Sequence, residues 1–557
     1  MEHPLHLAAH TPGEAGVAWP TGVGGRSGTG RSGTGRIGAG PLLDGRIGAL
    51  PEGLTRDQLI AEVVRALTDV PRGVAMLVAV SGGPDSTTMA HLVSLARPDV
   101  ELELMHVRHG LRDDAADAAV AAAHAAALGV GYHEEQVEVR VSGRGLEAAA
   151  RDARYEALLQ RAATRGIAWL AIGHTAEDQA ETVLLNLVRG SGLRGLAGMR
   201  AVRTHSVGEG ERQRGGGRAS QVRILRPLLR IRRSDVAAFI AGEGLLAVAD
   251  PTNRDPQQRR ARARHEVFPV LERLAGGPGD VVASLNRLAQ LARIDTEALD
   301  ALASEHASRL VMAWGGTYAI RRDLLALLPL ALSTRILRMV AAAVDSDLSA
   351  DAVARVLALE SGEALHIAGG AQVSCGGGWV GFAPHGLQPL AREPLLIPGA
   401  TPLLQLGIDV HVEWPWPLPP SADPGQLDLG GPEPPTVAQV ADERPPGPIA
   451  GPLPGTGPRA RMWAVFGADV GRALIAGDDF AVRARRDGDR LRSSVGVRKL
   501  QDLLVDAHVP RVCRDLVPVL VDEHDEPLWV PGIAQRLCDA EQPAAIRVWL
   551  APGDTES

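Results

Sequence analysis

The residues with the clearest chemical potential lie in one hexapeptide, Ser81-Gly82-Gly83-Pro84-Asp85-Ser86. It follows the apolar run Val74–Val80 and opens a segment with helical spacing. Two glycines let a backbone turn tightly and bring its N–H groups close to an anion. A helix start adds unpaired donors and the favourable end of the helix dipole, and the Ser81 and Ser86 hydroxyls can donate as well. The loop therefore suits a phosphate or pyrophosphate. No Gly-Lys-Ser/Thr follows, so it is not the ordinary P-loop. An aspartate within such a loop repels phosphate unless a divalent cation intervenes, which makes Asp85 a candidate Mg²⁺ contact. A strand-to-helix turn capped by Ser86 or Asp85 is the plainer alternative.

Other groups have spacings that could serve the same chemistry. His174, Asp178 and Glu181 fall at i, i+4 and i+7, one stripe of a helix. His106 ends a second apolar run, on the side where open α/β sheets place ligands. Glu147, Arg151 and Arg154 share another helix face. From Arg189 to Arg273 there are 18 Arg against 8 Asp plus Glu, although the whole chain carries a net charge of −8. Arg194, Arg260 and Arg264 lie in that basic segment. Near the other end, Arg498, Arg511, Arg514 and the chain's single lysine, Lys499, form a second basic group. Clustered arginine is the signature of phosphate-backbone contact, and a solvated helix face is its plain counterpart.

The elements that must position these residues read as alternating strands and helices. Helical spacing covers 55–70, 86–96, 113–128, 145–165 and 175–188; short apolar runs at 74–80, 100–107, 135–141 and 169–172 read as strands. That alternation predicts a parallel sheet covered on both faces. The stretch 204–220 is expected to be a surface loop, and the pattern from 228 to about 345 is mostly helical. The expected organisation is a low-complexity, disordered tail (1–54), an α/β catalytic domain (55–275), a mainly helical middle domain (276–390), a Pro/Gly-rich linker (391–470) with a few strands at its start, and a small α+β C-terminal domain (471–550). At 557 residues, 45% hydrophobic and 22% charged, the composition is that of a globular protein. No apolar run is long enough to span a bilayer. The three cysteines, 375, 513 and 538, form no CxxC pair and suit a reducing cytoplasm.

The hexapeptide resembles the SGGxDS signature of the PP-loop ATP pyrophosphatases, in which ATP is split to AMP and pyrophosphate while a substrate oxygen is adenylated. Further stretches are similar to one branch, the tRNA(Ile)-lysidine synthetases. His106 to Arg112 resembles its HxxHGLR segment, and Glu147 to Tyr155 its ExxARxxRY helix. Gly173 to Thr182 matches GHxxxDQxET, and the match continues to Met199. Leu225–Arg230 and Asp250–Asn253 resemble the RPLL and DxxN elements. Where the family has RNxIRHxxxP, this chain has Ala261 and Ala263 in place of the asparagine and the β-branched residue, while Arg260, Arg264 and His265 are kept. Residues 488–532 resemble the small C-terminal domain of the longer members.

The resemblance implies ATP and Mg²⁺ as cofactors, free lysine and a tRNA(Ile) with a CAU anticodon as substrates, and no membrane; a homodimer is compatible with it. Lysine would be ligated to C2 of the wobble cytidine through an adenylated base. It assigns the nucleotide to Ser81, Gly82, Gly83, Pro84, Asp85, Ser86, His106 and His174, and metal to Asp85 and Asp178. Catalysis falls to Asp85, Asp178 and Arg151. The tRNA falls to Arg154, Arg194, Arg260, Arg264, Arg498, Lys499 and Arg514. The sequence does not separate proton transfer from metal binding at Asp85 and Asp178. Three other readings stand beside this one. A tRNA 2-thiolase would need cysteines near the loop, an NAD-synthetase-like amidation leaves the arginine segment unexplained, and a non-catalytic tRNA-binding protein would use the scaffold without turnover.

Overall fold

A central strand buried on both faces organises the N-terminal half. In the computed structural model, β1 (Ala75–Ala79) is flanked by parallel β2 (Glu101–Arg108) and β4 (Trp169–Ala171). Successive side chains of a strand point to opposite faces. Accordingly Met76 and Val78 join a core with α1 (Arg56–Ala66), α2 (Pro84–Ala96) and α3 (Ala115–Leu128), while Leu77 joins one with α4 (Leu146–Arg165). The structure describes residues 50, 52–110, 114–139, 146–206, 221–248, 259–275, 277, 280–413, 436–441, 445, 462–467, 470, 479–493, 496–537 and 544–553. They divide into two compact units, within 21–298 and within 299–557.

In the first unit the six-stranded sheet has the order β3-β2-β1-β4-β6-β5, with β3 at Gly131–Gln136, β5 at Val202–Ser206 and β6 at Gln221–Leu225. All neighbours are parallel except β5, an antiparallel edge hairpinned to β6. The parallel α/β expectation holds, with that edge as an addition. Residues 204–206, expected in a loop, belong to β5, and 207–220 lie outside the described residues. The strand expected near 135–141 sits about four residues earlier because β3 is a polar edge strand, GYHEEQ, with no apolar run to mark it. Of the expected tail, 1–49 and 51 lie outside the described residues, but the chain is already packed at Leu50. Leu50 N–H donates to Arg230 O at 2.9 Å, and Gly53 and Leu54 N–H donate to Asp235 Oδ1 at 2.8 and 2.9 Å.

Three further helices complete the unit beside α5 (Ala176–Val188) and the single turn α6 (Leu193–Leu196). α7 is Arg233–Gly242; α8 runs through Arg259–Arg262, a π-helical turn Ala263–Val267 and Phe268–Ala275; α9 begins at Asp280 and ends at Leu310.

The second unit differs most from the sequence reading. Residues 311–383 include an antiparallel sheet, β7-β8-β11-β10-β9, with β9 at Ala364–His366, β10 at Gln372–Gly376 and β11 at Trp379–Ala383, besides the helices Leu330–Ala343 and Ala350–Ala358. The helices Arg322–Ala326 and Leu330–Ala343 continue the mostly helical pattern expected to about 345, and a hairpin at 311–321 interrupts it. β7 (Val311–Trp314) and β8 (Thr317–Arg321) form a hairpin whose turn is Gly315-Gly316, both at positive φ (52° and 80°). Two such residues match the twist of a two-residue hairpin. The few strands expected at the start of the linker are present, and they continue into a sheet that was not expected: β12 (Gly399–Leu403) and β13 (Ile408–Glu413) join β15 (Ala544–Pro552) and β14 (Trp463–Gly467). Those strands thus belong to the same core as the C-terminal segment.

Candidate active site

The loop between β1 and α2 is shaped by its own hydroxyls. Ser81 N–H donates to Ser86 Oγ at 3.0 Å, Ser86 Oγ donates to Gly83 O at 3.0 Å, and the two hydroxyl oxygens lie 3.1 Å apart. Ser86 thus holds the loop closed; Gly83 is the N-cap of α2, and Pro84 takes the first helical position, where a missing N–H costs nothing. The two glycines differ in what they are needed for. Gly82 has φ +75°, and a Cβ there would lie 2.7 Å from Asp117 O and 2.8 Å from Asp117 Cα. Gly83 has φ −80°, and its added Cβ would make only ordinary contacts, with Ser81 Oγ at 3.4 Å and Val248 O at 3.8 Å. Gly82 therefore lets α3 approach the loop, and the fold itself does not require glycine at 83.

Above this loop opens a cavity of about 500 Å³, bounded by the C-terminal ends of β1, β2 and β4 and by side chains of α4, α5, α7 and α8. That volume is in the range of small-molecule sites, at the end of the sheet where α/β folds bind ligands. Ser81, Gly83, Pro84, Asp85, Ser86, His106, Arg151, Arg154, His174, Asp178, Arg260 and Arg264 all line it. Gly82 is behind the wall, against α3. Residues 111–113 and 249–258, with the ends of the HxxHGLR segment and the DxxN element, lie outside the described residues, as does the Glu147 side chain.

Arg233 is the centre of the charge network, and the sequence reading did not single it out. Its guanidinium lies 2.6 Å from Asp178 Oδ1, 3.2 Å from Glu181 Oε1 and 3.7 Å from Asp85 Oδ2. Arg264 closes on the same Glu181 oxygen at 2.7 Å. Burial works against the charged Arg233, but Asp178, Glu181 and Asp85 outweigh it and hold the guanidinium above its ordinary range. A signal was available: Arg233 opens a helix, where the dipole favours acidic residues, so an arginine there needs carboxylates from elsewhere.

The carboxylates differ accordingly. Asp178 Oδ2 accepts from Thr175 N–H (2.9 Å) and Thr175 Oγ1 (3.2 Å), capping α5. Burial pushes its carboxyl up, and Arg233 and the Thr175 N–H more than reverse this, leaving it below the usual range. Asp85 is raised to about 6, chiefly by burial, which Arg233 only partly offsets. Asp85 and Asp178 are thus bridged by a guanidinium, and among the described residues no cluster of three or more His, Cys, Asp or Glu could hold a metal alone. A Mg²⁺ ion at Asp85 fits this donor set if phosphate oxygens and water supply its remaining ligands, as is usual for that ion.

The histidines are fixed by their partners. His106 Nδ1 lies 2.9 Å from Val80 O, and a carbonyl only accepts, so Nδ1 carries the proton. His174 is buried and neutral: burial first, then Arg226, Arg151 and Arg260, lower it to about 3 against the opposing pull of Asp178. Arg151 lies over the Tyr155 ring, 5.3 Å from its centroid.

The remaining basic residues of the sequence reading lie elsewhere. Arg194 is exposed on α6, away from the cavity lining. Arg498 pairs with Asp506 at 2.5 Å, and exposed Lys499 precedes the helix Leu500–Asp506, both in the second unit. Arg514 lines a separate cavity of about 860 Å³ there with Arg485 and Arg511.

Residues 57–271 match the PP-loop domain family, and residues 480–548 match the TilS substrate C-terminal domain family. The tRNA(Ile)-lysidine synthase of Symbiobacterium thermophilum is 34% identical over 496 residues, covering 83% of this chain and 90% of that protein. The corresponding protein of Thermobifida fusca is 40% identical over 302 residues, 54% of this chain and 86% of its own. That of Dehalococcoides mccartyi is 30% identical over 476 residues, 83% and 92% of the two chains. With such identity extending over both the loop-bearing unit and the C-terminal segment, the chain belongs to the tRNA(Ile)-lysidine synthase family.

Proposed function

We propose that this enzyme ligates free lysine to C2 of the wobble cytidine of tRNA(Ile) bearing a CAU anticodon, using ATP and Mg²⁺ and passing through an adenylated base. The product would read AUA in place of AUG. The observation that supports it most is the convergence, in one cavity, of a loop suited to pyrophosphate, one carboxylate raised to about 6 and several arginines.

In the first half-reaction the cytidine O2 attacks the α-phosphorus of ATP and pyrophosphate leaves. The loop N–H groups and the N-terminus of α2 receive the phosphates, and Arg151 and Arg260 supply positive charge at the cavity wall. Mg²⁺ held through Asp85 would neutralise charge on the departing pyrophosphate. In the second, the lysine ε-amine attacks C2 and AMP leaves with the oxygen. The amine must lose a proton to attack. Asp178 has both oxygens engaged and a depressed pKa; Asp85, the more basic of the two, is assigned that proton.

Arg154, Arg260 and Arg264 at the first cavity, Arg194 on α6, and Arg498, Lys499, Arg511 and Arg514 in the second unit are assigned to RNA phosphates, with Arg485 added by its place beside Arg514. No described helix is long and apolar enough to cross a membrane. A thiolase reading finds little support, since Cys375 and Cys513 are buried and burial pushes the Cys513 thiol up to about 11.

The test is incubation with ATP, Mg²⁺, radiolabelled lysine and a tRNA(Ile) transcript with a CAU anticodon. Label should enter the RNA and vanish when the wobble cytidine is replaced by uridine. No label from protein that still binds the transcript would leave a tRNA-binding protein without this chemistry.

A further inference from the structure

Arg226, in the Leu225-Arg-Pro-Leu-Leu-Arg230 stretch, does not line the first cavity and is almost wholly buried. Its backbone N–H donates to Ala201 O at 2.9 Å, and its Nη1 donates to Arg200 O at 2.8 Å. The segment that carries Arg200, just before β5, is held from α9 as well, where Arg293 Nη2 donates to Met199 O at 2.6 Å. Anchored in this way, Arg226 directs Nε–H at His174 Nδ1, 3.2 Å away.

A guanidinium has five N–H donors and no acceptor, and it does not deprotonate in a protein. The ring nitrogen it meets must therefore present a lone pair. A neutral imidazole has one donor and one acceptor nitrogen, so the proton of His174 is on Nε2. We infer that Arg226 is a positioning residue that fixes His174 as the Nε2–H tautomer, so that the ring offers an N–H to a phosphate oxygen of the nucleotide at the Ser81–Ser86 loop. The identity of that acceptor rests on the proposed function; the tautomer does not.

The location of His174 fits a phosphate. Gly173 is packed so closely on the loop that a Cβ there would lie 3.1 Å from Asp85 O and 3.2 Å from Ser86 Cα. His174 is the next residue and lines the cavity. The charged groups acting on its ring are Asp178 from α5, Arg151 from α4, Arg260 from α8 and Arg226 itself. Three of the four are cations, which disfavour a second proton. The opposite tautomer would put a lone pair toward phosphate oxygens and an N–H against the Arg226 N–H, unfavourable at both ends.

The test is ¹⁵N NMR of the histidine-labelled full-length protein without ligands, with His174 identified by the resonances lost in His174→Gln. The expected pattern is a pyridine-like Nδ1 and a pyrrole-like Nε2, retained in Arg226→Lys and shifted toward a tautomer mixture in Arg226→Met. Turnover is the second arm. Arg226→Met should lower kcat for pyrophosphate release by roughly ten- to a hundredfold, the size of one hydrogen bond to a charged group. KM for lysine should stay unchanged, and Arg226→Lys should recover most of the loss. A pyrrole-like Nδ1 in the unsubstituted protein overturns the inference whatever the variants do. The predicted tautomer with undiminished kcat in Arg226→Met overturns the positioning role. The predicted NMR pattern in a protein without lysidine-forming activity would leave the tautomer standing while the proposed function fails.

Discussion

The two arginine-bearing cavities use the same side chain in opposite ways. In the first, Arg233 and Arg264 converge on Glu181, a carboxylate with no solvent exposure, and Arg233 also holds Asp178, itself fixed as a helix cap. In the second, Arg485 pairs with Asp515, which is 53% exposed, and with the fully exposed Asp487, while Arg511 and Arg514 donate to backbone carbonyls at Gly362 and Val509. Buried, multiply bonded charges fix geometry and are costly to break; exposed ones attract a partner and are screened by salt. The first cavity is built to position reacting groups, the second to gather an anion.

The largest expected effect comes from breaking the buried network. Arg233→Met leaves Asp178 and Glu181 without their shared cation, and removing one partner of a buried pair costs about 3–5 kcal/mol. A Tm or denaturation midpoint close to that of the unsubstituted protein would show that the network is not holding the site. Next is the pair of loop glycines. Gly82→Ala forces a Cβ into the Asp117 backbone at positive φ and should cost on the order of 2–4 kcal/mol from overpacking and left-handed strain. Gly83→Ala should stay within about 0.5 kcal/mol of the original stability and act only on nucleotide affinity, because nothing but the ligand needs that space. Equal loss of stability in both would erase the distinction between them.

A smaller effect concerns pH. Asp85 has its folded-state pKa raised, so the folded chain binds a proton between about pH 4 and pH 6 that the unfolded chain releases. Its buried negative charge therefore costs stability above about pH 6, and this cost is relieved as pH falls toward 4. Ligand-free Asp85→Asn should thus be the more stable protein at pH 8 and lose that advantage near pH 4. Turnover should move the other way, falling as pH drops through about 6 because the ionised carboxylate is the active form. Thermal melts from pH 4 to pH 8 and pyrophosphate release across pH 5–8 check both signs.

The contrast between the cavities also explains what could be read from the sequence. The loop, the β1, β2 and β4 runs and the His174–Asp178–Glu181 stripe lie within short segments, so their spacing specified them. Arg233 did not stand out because its partners lie 52 or more positions away, and only the fold brings them together. The same holds for Arg226 and His174. β3 was misplaced since a polar edge strand carries no apolar period. The sheet of β7 to β11 was missed for another reason. Its signal was a Gly-Gly turn between runs of four and five residues, next to a 31-residue helix whose period dominates any window covering both. Strand β13 finds its partner β15 more than 130 residues later, which no local pattern reports.

The smallest expected effect tests the second cavity. Arg511→Gln combined with Arg514→Gln removes two exposed or half-buried cations without uncovering a buried carboxylate, so stability should change little. If these side chains meet RNA phosphates, tRNA affinity falls uniformly across sequence variants, and the slope of log affinity against log salt becomes shallower by about one unit per lost contact. kcat at saturating tRNA should not move, since neither residue lines the cavity that holds the loop. An anticodon stem-loop offered as substrate supplies the control. A comparable rise in KM for the stem-loop and for the whole tRNA would place these arginines on the anticodon arm. A rise confined to the whole tRNA would place their contact on another part of the molecule. An unchanged salt slope with both substrates would remove the second cavity from RNA binding, and the division of labour between buried and exposed arginine would then rest on the first cavity alone.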